Sequence, residues 1–379
     1  MTRKLKEFIK KHRLIYSIYY YVVSFFVNTL KLFLKTDDKL ILFVSYGGRH
    51  YSDSPRVIYE AMLRDSRFDG YRKVWAFVNP ERFDVSDKIK IDTFTYFKTA
   101  LKARCWVTNV MIERALNFRG IHTYYFCTWH GSPIKYDGCD SKKLKFFSKA
   151  SSQYDCYLTQ SEYAKRVASR IFGLKEGVAQ ITGIPKNDIL SSYTDSYRAA
   201  LREKLNIPPN KKAILYAPTF REGLGLRENF QMHVEKWRNK LAEEYVLLYR
   251  AHPSIAAEWK ANDAFFHDVT FYEVGEDLMI ASDLLLSDYS SIMFDYSIMR
   301  KPIYLWTYDY DEYQEKRGLY LDPREELPFS GNEDELIDMI ACHDWSRVPE
   351  GIAKFREKYA TVCGHATETS LNLIWEHIQ

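Results

Sequence analysis

The sequence predicts an α/β protein made of two doubly wound domains that face a central cleft. Three observations lead to this fold class. The chain has 379 residues, which is more than one average domain. Hydrophobic residues make up 46% of it and charged residues 27%, a balance that lets each domain bury a core. Apolar strand-like runs alternate with helical stretches in two successive series, which is typical of parallel sheets with crossover helices.

The first series begins at Lys39 and predicts a domain over residues 39–192. KLILFVSYGG indicates a buried strand that ends in a glycine loop. PRVIYEAMLRD and TFTYFKTALKA indicate helices, and further strands are expected in KVWAFVN, CWVTNV, HTYYFCTWHG, YDCYLTQ and AQITGIP. The alternation breaks near residues 183–192, which marks the expected boundary.

The second series predicts a domain over residues 193–379, with a last helix able to cross back to the first domain. SYTDSYRAALREKLNIPPNKK indicates a connecting helix that ends at a proline pair. The runs that continue the series are KAILYAPTF, YVLLYRAHP, VTFYEV, DLMIASDLLLSDYSS and KPIYLWTYD. Ligands of such sheets bind beyond the carboxyl ends of the strands, so the crevice between the two domains is the expected site.

Residues 1–38 form a basic and apolar segment that predicts contact with a membrane. The basic start MTRKLKEFIKKHR is followed by a run without charge from Leu14 to Leu30, which is at the short end of the spanning range. Its tyrosine-rich first half is typical of the bilayer interface. We expect a monotopic helix whose basic residues meet anionic lipids of the inner leaflet. A transmembrane helix and a buried core helix over residues 14–35 are the alternatives.

The composition excludes several other classes of protein. A net charge of +4 is too small to indicate a nucleic-acid partner. The six cysteines include no CxxC pair, which argues against a zinc site and a disulfide framework. Neither a Walker A motif nor a GxGxxG fingerprint is present, so ordinary ATP or NAD binding has no support and no cofactor is expected.

Polar residues follow several predicted strands at the same topological position, and they are candidates for one site in the cleft. These strand-end residues are His130, Thr219, Arg221, Arg250, His252, Asp288, Ser290 and Ser291. In SDYSSIMFDY, Ser290 or Ser291 is expected to cap a helix, and its free amides would suit a phosphate or pyrophosphate. A plain helix cap is the alternative for this stretch.

His130 and His252 are the candidate catalytic pair. A histidine near neutral pH can take a proton from a hydroxyl, and a second one beside Arg250 can neutralise a phosphoryl group. A lone histidine beside a tryptophan is more often a packed or hydrogen-bonded residue, but two histidines in one cleft are better explained as a base and an anion stabiliser. No carboxylate or cysteine stands at ligand spacing from either, so no metal is expected.

The blocks TWHGSPIKYDG, YAPTFRE, YRAHP and SDYSSIMFDYSIMRKPIYLW, in that order, resemble the CDP-glycerol glycerophosphotransferase family of teichoic acid and capsule synthesis. YSDSPRVIYEAM and YDEYQEKRGLYLD are similar to further blocks of that family, and the resemblance spans residues 40–340. The short chain is more similar to the priming enzymes than to the long polymerases. The resemblance implies a GT-B architecture and peripheral attachment to the cytoplasmic face of a bacterial membrane. It also implies a CDP-alcohol donor and an undecaprenyl-linked saccharide acceptor.

The same resemblance assigns roles to the matching residues. His130 is expected to be the base, and His252 is expected to help hold the donor phosphates. Ser290 and Ser291 are expected to bind the pyrophosphate. The remaining residues expected to bind substrate are Gly131, Thr219, Arg221, Arg250 and Asp288.

The expected reaction is transfer of glycerol phosphate from CDP-glycerol to an acceptor hydroxyl, with release of CMP. One departure from the family pattern keeps the transferred alcohol open, because PREELPFSG stands where the family usually shows a Pro-Gly pair. A transferase that uses CDP-ribitol and a GT-B glycosyltransferase that uses a nucleotide sugar are therefore alternatives. A membrane-bound binding protein without catalysis is a third alternative. The intact histidines and serines of this chain argue against it.

Overall fold

The computed structural model describes residues 12–113, 116–140, 153–221, 231–251 and 263–379. Among the residues singled out above, His252 lies outside the described residues, as does most of the basic start of the chain. The other candidates can all be placed in the fold.

The first domain is built on a parallel sheet of seven strands in the order β3-β2-β1-β4-β5-β6-β7. The strands are β1 Asp37–Val44, β2 Arg72–Phe77, β3 Lys88–Lys90, β4 Ala103–Thr108, β5 Tyr124–Cys127, β6 Cys156–Thr159 and β7 Ala179–Ile181. The last five residues of β1 are all buried. A strand covered on both faces by helices needs such a continuous apolar run, and LILFV supplies it.

The helices of this domain are α1 Arg13–Leu30, α2 Asp53–Met62, α3 Phe94–Lys102 and α4 Glu162–Phe172. The ends of α4 follow from its sequence. The Ser161 hydroxyl accepts a hydrogen bond from the Ala164 amide at its start, and Gly173 adopts a left-handed φ of 57° at its end.

The second domain is built on a parallel sheet of six strands in the order β10-β9-β8-β11-β12-β13. The strands are β8 Lys212–Tyr216, β9 Tyr245–Tyr249, β10 Phe266–Asp268, β11 Leu284–Ser287, β12 Ile303–Trp306 and β13 Phe329–Ser330. The helices are α5 Asp195–Lys204, α6 Val234–Leu241, α7 Gly275–Ala281, α8 Ile292–Ser297, α9 Tyr310–Lys316, α10 Glu333–Ala341, α11 Glu350–Tyr359 and α12 Ala366–Ile378. Two parallel α/β sheets in tandem confirm the predicted fold class.

One predicted strand is displaced. VTFYEV, residues 269–274, was expected to be extended, but β10 ends at Asp268 and a turn follows. The Asp268 carboxylate accepts a hydrogen bond from the Thr270 amide, 2.9 Å away, and this local bond replaces the next ladder bond of the strand. Phe271 is consequently 70% exposed.

The last helix, α12, packs against the first sheet. Its apolar residues Leu371 and Ile374 share a core cluster with Ile41 of β1. The His377 ring stacks on Tyr124 of β5 with 4.2 Å between ring centroids. The limits 39–192 and 193–379 stay predictions. Helix α12 contacts the first domain, and so does α11, whose Tyr359 ring lies 5.0 Å from the Tyr163 ring of α4, centroid to centroid.

Helix α1 lies on the surface of the first domain with one face docked and one face exposed. The Ser24 hydroxyl accepts a hydrogen bond from the Asn117 amide at 2.9 Å, and Val27 is buried. The residues of the exposed face include Leu14, Ile18, Tyr21, Val22, Phe25 and Phe26. In the described part of the chain, no helix has both the length and the apolar character to cross a bilayer.

Candidate active site

His130 lies in the loop that follows β5, residues 128–138, and a hydrogen bond holds its ring in one tautomer. The Nδ1 atom is 2.9 Å from the main-chain oxygen of Asn109. Because a carbonyl oxygen only accepts, Nδ1 carries the hydrogen and Nε2 is left with a free lone pair. Burial lowers the pKa of His130 below its usual value, so the ring is neutral at neutral pH. A neutral ring with an open Nε2 is suited to accept a proton.

The charges around His130 offset one another. The Asp53 carboxylate raises the pKa of His130, whereas the Lys186 ammonium lowers it, and burial remains the largest cause of the shift. The Tyr46 ring lies 5.8 Å from the His130 ring, centroid to centroid, and its hydroxyl donates to Asp53 at 2.8 Å. All of these groups belong to the first domain.

The loop that carries His130 contacts the second domain at two points. Gly131 has φ +154°, and a Cβ at this position would lie 3.1 Å from Ser291 Oγ. Further along, the Tyr320 amide donates to the Ile134 oxygen at 2.8 Å, and the Tyr136 amide donates to the Gly318 oxygen at 3.0 Å. Residues 134–136 and 318–320 thus pair across the domains, and the loop position is fixed from both sides.

A cavity of about 1190 Å³ lies beyond the carboxyl ends of the second sheet. It brings together four of the predicted residues, namely Thr219, Arg221, Arg250 and Ser290. His130 is not among the residues that line this cavity. The adjacent Gly131 lies close to Ser291, the neighbour of the lining residue Ser290. The lining has an excess of positive charge, with six cationic residues and three carboxylates. The cations are Lys135, Arg221, Arg250, Lys316, Arg317 and Arg324, and the carboxylates are Asp309, Asp311 and Glu312. A cavity with these cations is suited to a ligand with several negative charges.

Arg221 and Asp288 form a frame beneath this cavity. Arg221 Nη1 lies 2.9 Å from Asp288 Oδ2, and its Nε lies 2.6 Å from Asp309 Oδ2. Burial lowers the pKa of Arg221, but the Asp288 and Asp309 carboxylates more than offset it and raise the pKa. Asp288 also accepts from the main-chain amides of Thr219 at 2.9 Å and Tyr289 at 2.6 Å. The Arg221 and Asp288 side chains are therefore bonded to other protein groups, and they hold the loops after β8 and β11 together.

Thr219 and Arg250 are not part of this frame of ion pairs. The Thr219 hydroxyl and the Arg250 Nη1 are buried, and neither has a hydrogen-bond partner among the described residues. Burial lowers the pKa of Arg250, and Glu276 partly offsets the shift. A buried donor without a partner is costly, and a cavity wall is a place where a ligand can satisfy it.

The two serines after β11 are placed where the sequence predicts them, but their side chains cap α8 poorly. The Ile292 amide lies 3.4 Å from Ser290 Oγ, which is a long contact, and Ser291 makes no capping bond with its side chain. Neither hydroxyl therefore makes a close hydrogen bond to the start of α8, and Ser290 lines the cavity.

A buried ionic cluster between the domains was missed by sequence reasoning. Lys186 Nζ lies 2.8 Å from Asp295 Oδ2 and 3.3 Å from Glu276 Oε1. The Asn187 amide also donates to Asp295 at 2.8 Å. Lys186 follows β7, and Asn109 follows β4, so the strand-end rule that selected His130 would have found both residues if it had been applied to GIPKND and CWVTN.

Comparison with known proteins identifies the family. Residues 26–376 match the family described as CDP-Glycerol:Poly(glycerophosphate) glycerophosphotransferase. The chain is 32% identical over 338 residues to the teichoic acid glycerol-phosphate transferase of Staphylococcus aureus, covering 83% of this chain and 86% of that protein. It is 33% identical over 315 residues to the teichoic acid poly(glycerol phosphate) polymerase of Staphylococcus epidermidis, where the match covers 76% of this chain but only 43% of the polymerase.

Solved structures agree with this assignment. The wall teichoic acid polymerase TagF superimposes with a TM-score of 0.81 at 30% identity, covering 90% of each chain. MnaA of Staphylococcus aureus, solved with UDP, superimposes with a TM-score of 0.55 at 14% identity and shows the fold alone. These matches confirm the predicted GT-B-like architecture. The chain therefore belongs to the CDP-glycerol:poly(glycerophosphate) glycerophosphotransferase family, the family of enzymes that the motifs resemble.

Proposed function

We propose that the chain transfers glycerol phosphate from CDP-glycerol to a hydroxyl of a membrane lipid-linked saccharide and releases CMP. The observation that carries the proposal is the neutral His130 ring, with a free lone pair on Nε2, in the same loop as Lys135, which lines a cationic cavity of the second domain. Membership of the family supports CDP-glycerol as the donor, as does a TagF structure that was solved after a soak with CDPG.

In the proposed step, the acceptor oxygen attacks the β-phosphorus of CDP-glycerol. The new O–P bond forms as the bond from phosphorus to the CMP oxygen breaks, and CMP leaves with that electron pair. The hydroxyl proton goes to His130 Nε2. Catalysis of this kind depends on positioning and on stabilising the charge that grows on the leaving phosphate.

The second domain is proposed to hold the donor. Arg250 and Thr219 have buried hydrogen-bond donors without a partner among the described residues, and Ser290 lines the same cavity beside Ser291. Gly131 would let the loop of His130 approach Ser291 closely, because a Cβ there would lie 3.1 Å from Ser291 Oγ. The resemblance adds His252 as a further contact of the donor phosphates. Arg221 and Asp288 are proposed to act indirectly, by holding the loops that carry these groups.

A donor assay tests the proposal. The purified full-length chain is incubated with CDP-glycerol, CDP-ribitol or UDP-sugars together with a lipid-linked saccharide acceptor, and release of CMP or UDP is measured. The proposal expects CMP release with CDP-glycerol. Preference for CDP-ribitol would make the chain a ribitolphosphotransferase, UDP release would make it a glycosyltransferase, and no release with any donor would favour a binding protein. The length of the product then shows whether one unit is added, as expected for a primase-like enzyme, or many.

We also propose that the chain works on the cytoplasmic face of the membrane, attached by residues 1–38. The exposed apolar face of α1 supports this proposal, since such a face is suited to the bilayer interface. Deleting residues 1–35 should preserve transfer to a soluble acceptor analogue and reduce transfer to an acceptor embedded in vesicles. Equal loss on both acceptors would instead assign a folding role to the segment.

A further inference from the structure

Lys135 is a residue of the first domain whose side chain lines the cavity of the second domain. It lies five positions after His130 in the same loop, and its main chain forms an antiparallel bridge with Leu319. The hydrogen bonds between residues 134–136 and 318–320 hold this part of the loop against the second domain. The Lys135 side chain therefore enters the cavity from a fixed main-chain position.

Two carboxylates and two guanidinium groups face Lys135, so the charges around its ammonium partly offset one another. These groups are the carboxylates of Asp288 and Asp137 and the guanidinium groups of Arg221 and Arg317. Asp288 is already paired with Arg221, 2.9 Å away. Across the described ranges of the chain, no hydrogen bond or ion pair joins Lys135 Nζ to another group. Burial is the largest cause that lowers the pKa of Lys135, to about 8. Lys135 is half-buried, and an ammonium that has no protein partner at a cavity wall can pair with an anion that enters the cavity.

We propose that the Lys135 ammonium binds the diphosphate of the donor, so that the phosphate being transferred lies between a cation of the first domain and Arg250 of the second. This inference rests on the proposed function. Because Lys135 and His130 share one loop, the cation that holds the diphosphate also fixes the distance between the base and the phosphorus. Lys135 transfers no proton in the step and acts by charge alone.

The proposal is tested by measuring CDP-glycerol binding to the full-length chain by calorimetry. Lys135→Met should weaken binding about 10–100-fold, the range typical of a lost hydrogen bond between charged groups. Lys135→Arg should restore most of the affinity because it keeps the charge. Lys354→Met serves as the control, since Lys354 is exposed on α11 and pairs with Glu350 of the same helix. Unchanged binding in Lys135→Met would overturn the inference while leaving the proposed function intact.

The pH dependence of binding separates a charge role from a structural role. The ammonium that titrates near pH 8 must be protonated to hold the anion, so wild-type affinity should fall as the pH rises through 8. In Lys135→Arg this fall should disappear, because a guanidinium keeps its proton throughout. If Lys135→Met fails to fold, the pH dependence of affinity in the wild type and in Lys135→Arg decides the question. An affinity that still falls through pH 8 in Lys135→Arg contradicts the inference. A wild-type chain that does not bind CDP-glycerol would overturn the proposed donor and this inference together.

Discussion

The loop after β5 in the first domain and the loops after β8 and β11 in the second carry equally polar motifs, but they use them differently. In the first loop, His130 makes one hydrogen bond to a main-chain oxygen and Lys135 lacks an ion pair within the described residues. In the second domain, Arg221 and Asp288 are bound to each other and to neighbouring protein groups. A polar residue at a strand end therefore marks the location of a site, while its partners decide whether it acts on a ligand or supports the site.

The largest effect is expected from His130→Ala, which removes the proposed base. Turnover should fall about 10²–10⁴-fold, the usual contribution of a general base, while CDP-glycerol affinity stays within about twofold. His122→Ala, an exposed histidine before β5, is the matched control and should keep wild-type turnover. Normal turnover in His130→Ala would show that another group takes the proton.

A large loss of stability is expected from Asp288→Asn. This change removes one of the two carboxylates, Asp288 and Asp309, that pair with the Arg221 guanidinium, which is 7% exposed. The free energy of unfolding should fall by about 3 kcal/mol, as is typical when a buried ion pair is broken. Asp338→Asn breaks the exposed pair with Lys240 and should change stability by less than about 0.5 kcal/mol. If denaturant unfolding gives the same stability for both variants, the frame role of Asp288 is wrong.

Arg250→Gln should have a smaller effect than Asp288→Asn and of the opposite kind, with a loss of donor affinity and little loss of stability. Arg250 lines the cavity with a buried donor that lacks a described partner, so its loss should affect the donor more than the fold. We expect CDP-glycerol affinity to fall about tenfold and the unfolding free energy to change by less than about 1 kcal/mol. Calorimetry and denaturant unfolding on the same sample check both values. A loss of stability with unchanged affinity would place Arg250 in the frame with Arg221.

The smallest effect concerns pH. Burial lowers the pKa of His130 below 6.5, and only the neutral ring can accept a proton. The acidic limb of kcat/KM should therefore have its midpoint below 6.5, with the rate lost as the pH falls through it. Since the unfolded chain binds the His130 proton more readily, this residue also lowers stability as the pH falls below 6.5. A limb centred above 6.5 would contradict the role of burial.

Much of the fold was predictable because both sheets are parallel and buried. Runs such as LILFV in β1 and LLLS in β11 carry the apolar pattern of such strands in the sequence itself. The end of β10 was not predictable from this pattern, because the Asp268 side chain stops the strand by a local hydrogen bond. Periodicity describes burial, but it does not describe a side chain that competes with the ladder.

The position of the site was predictable, but the division of roles was not. His130, Arg250 and Ser290 were found because each follows an apolar run. The pairing of Arg221 with Asp288 joins residues 67 positions apart, and the cluster of Lys186 with Glu276 and Asp295 joins the two domains. Such contacts depend on how the sheets are placed in space, and no spacing along the chain encodes them.

The most direct test of the account is a crystal structure of the full-length chain with CDP-glycerol bound. The account predicts a diphosphate that contacts both Lys135 and Arg250, with the β-phosphorus on the side that faces His130 Nε2. A diphosphate bound elsewhere, or a β-phosphorus that His130 cannot approach through an acceptor hydroxyl, would contradict it.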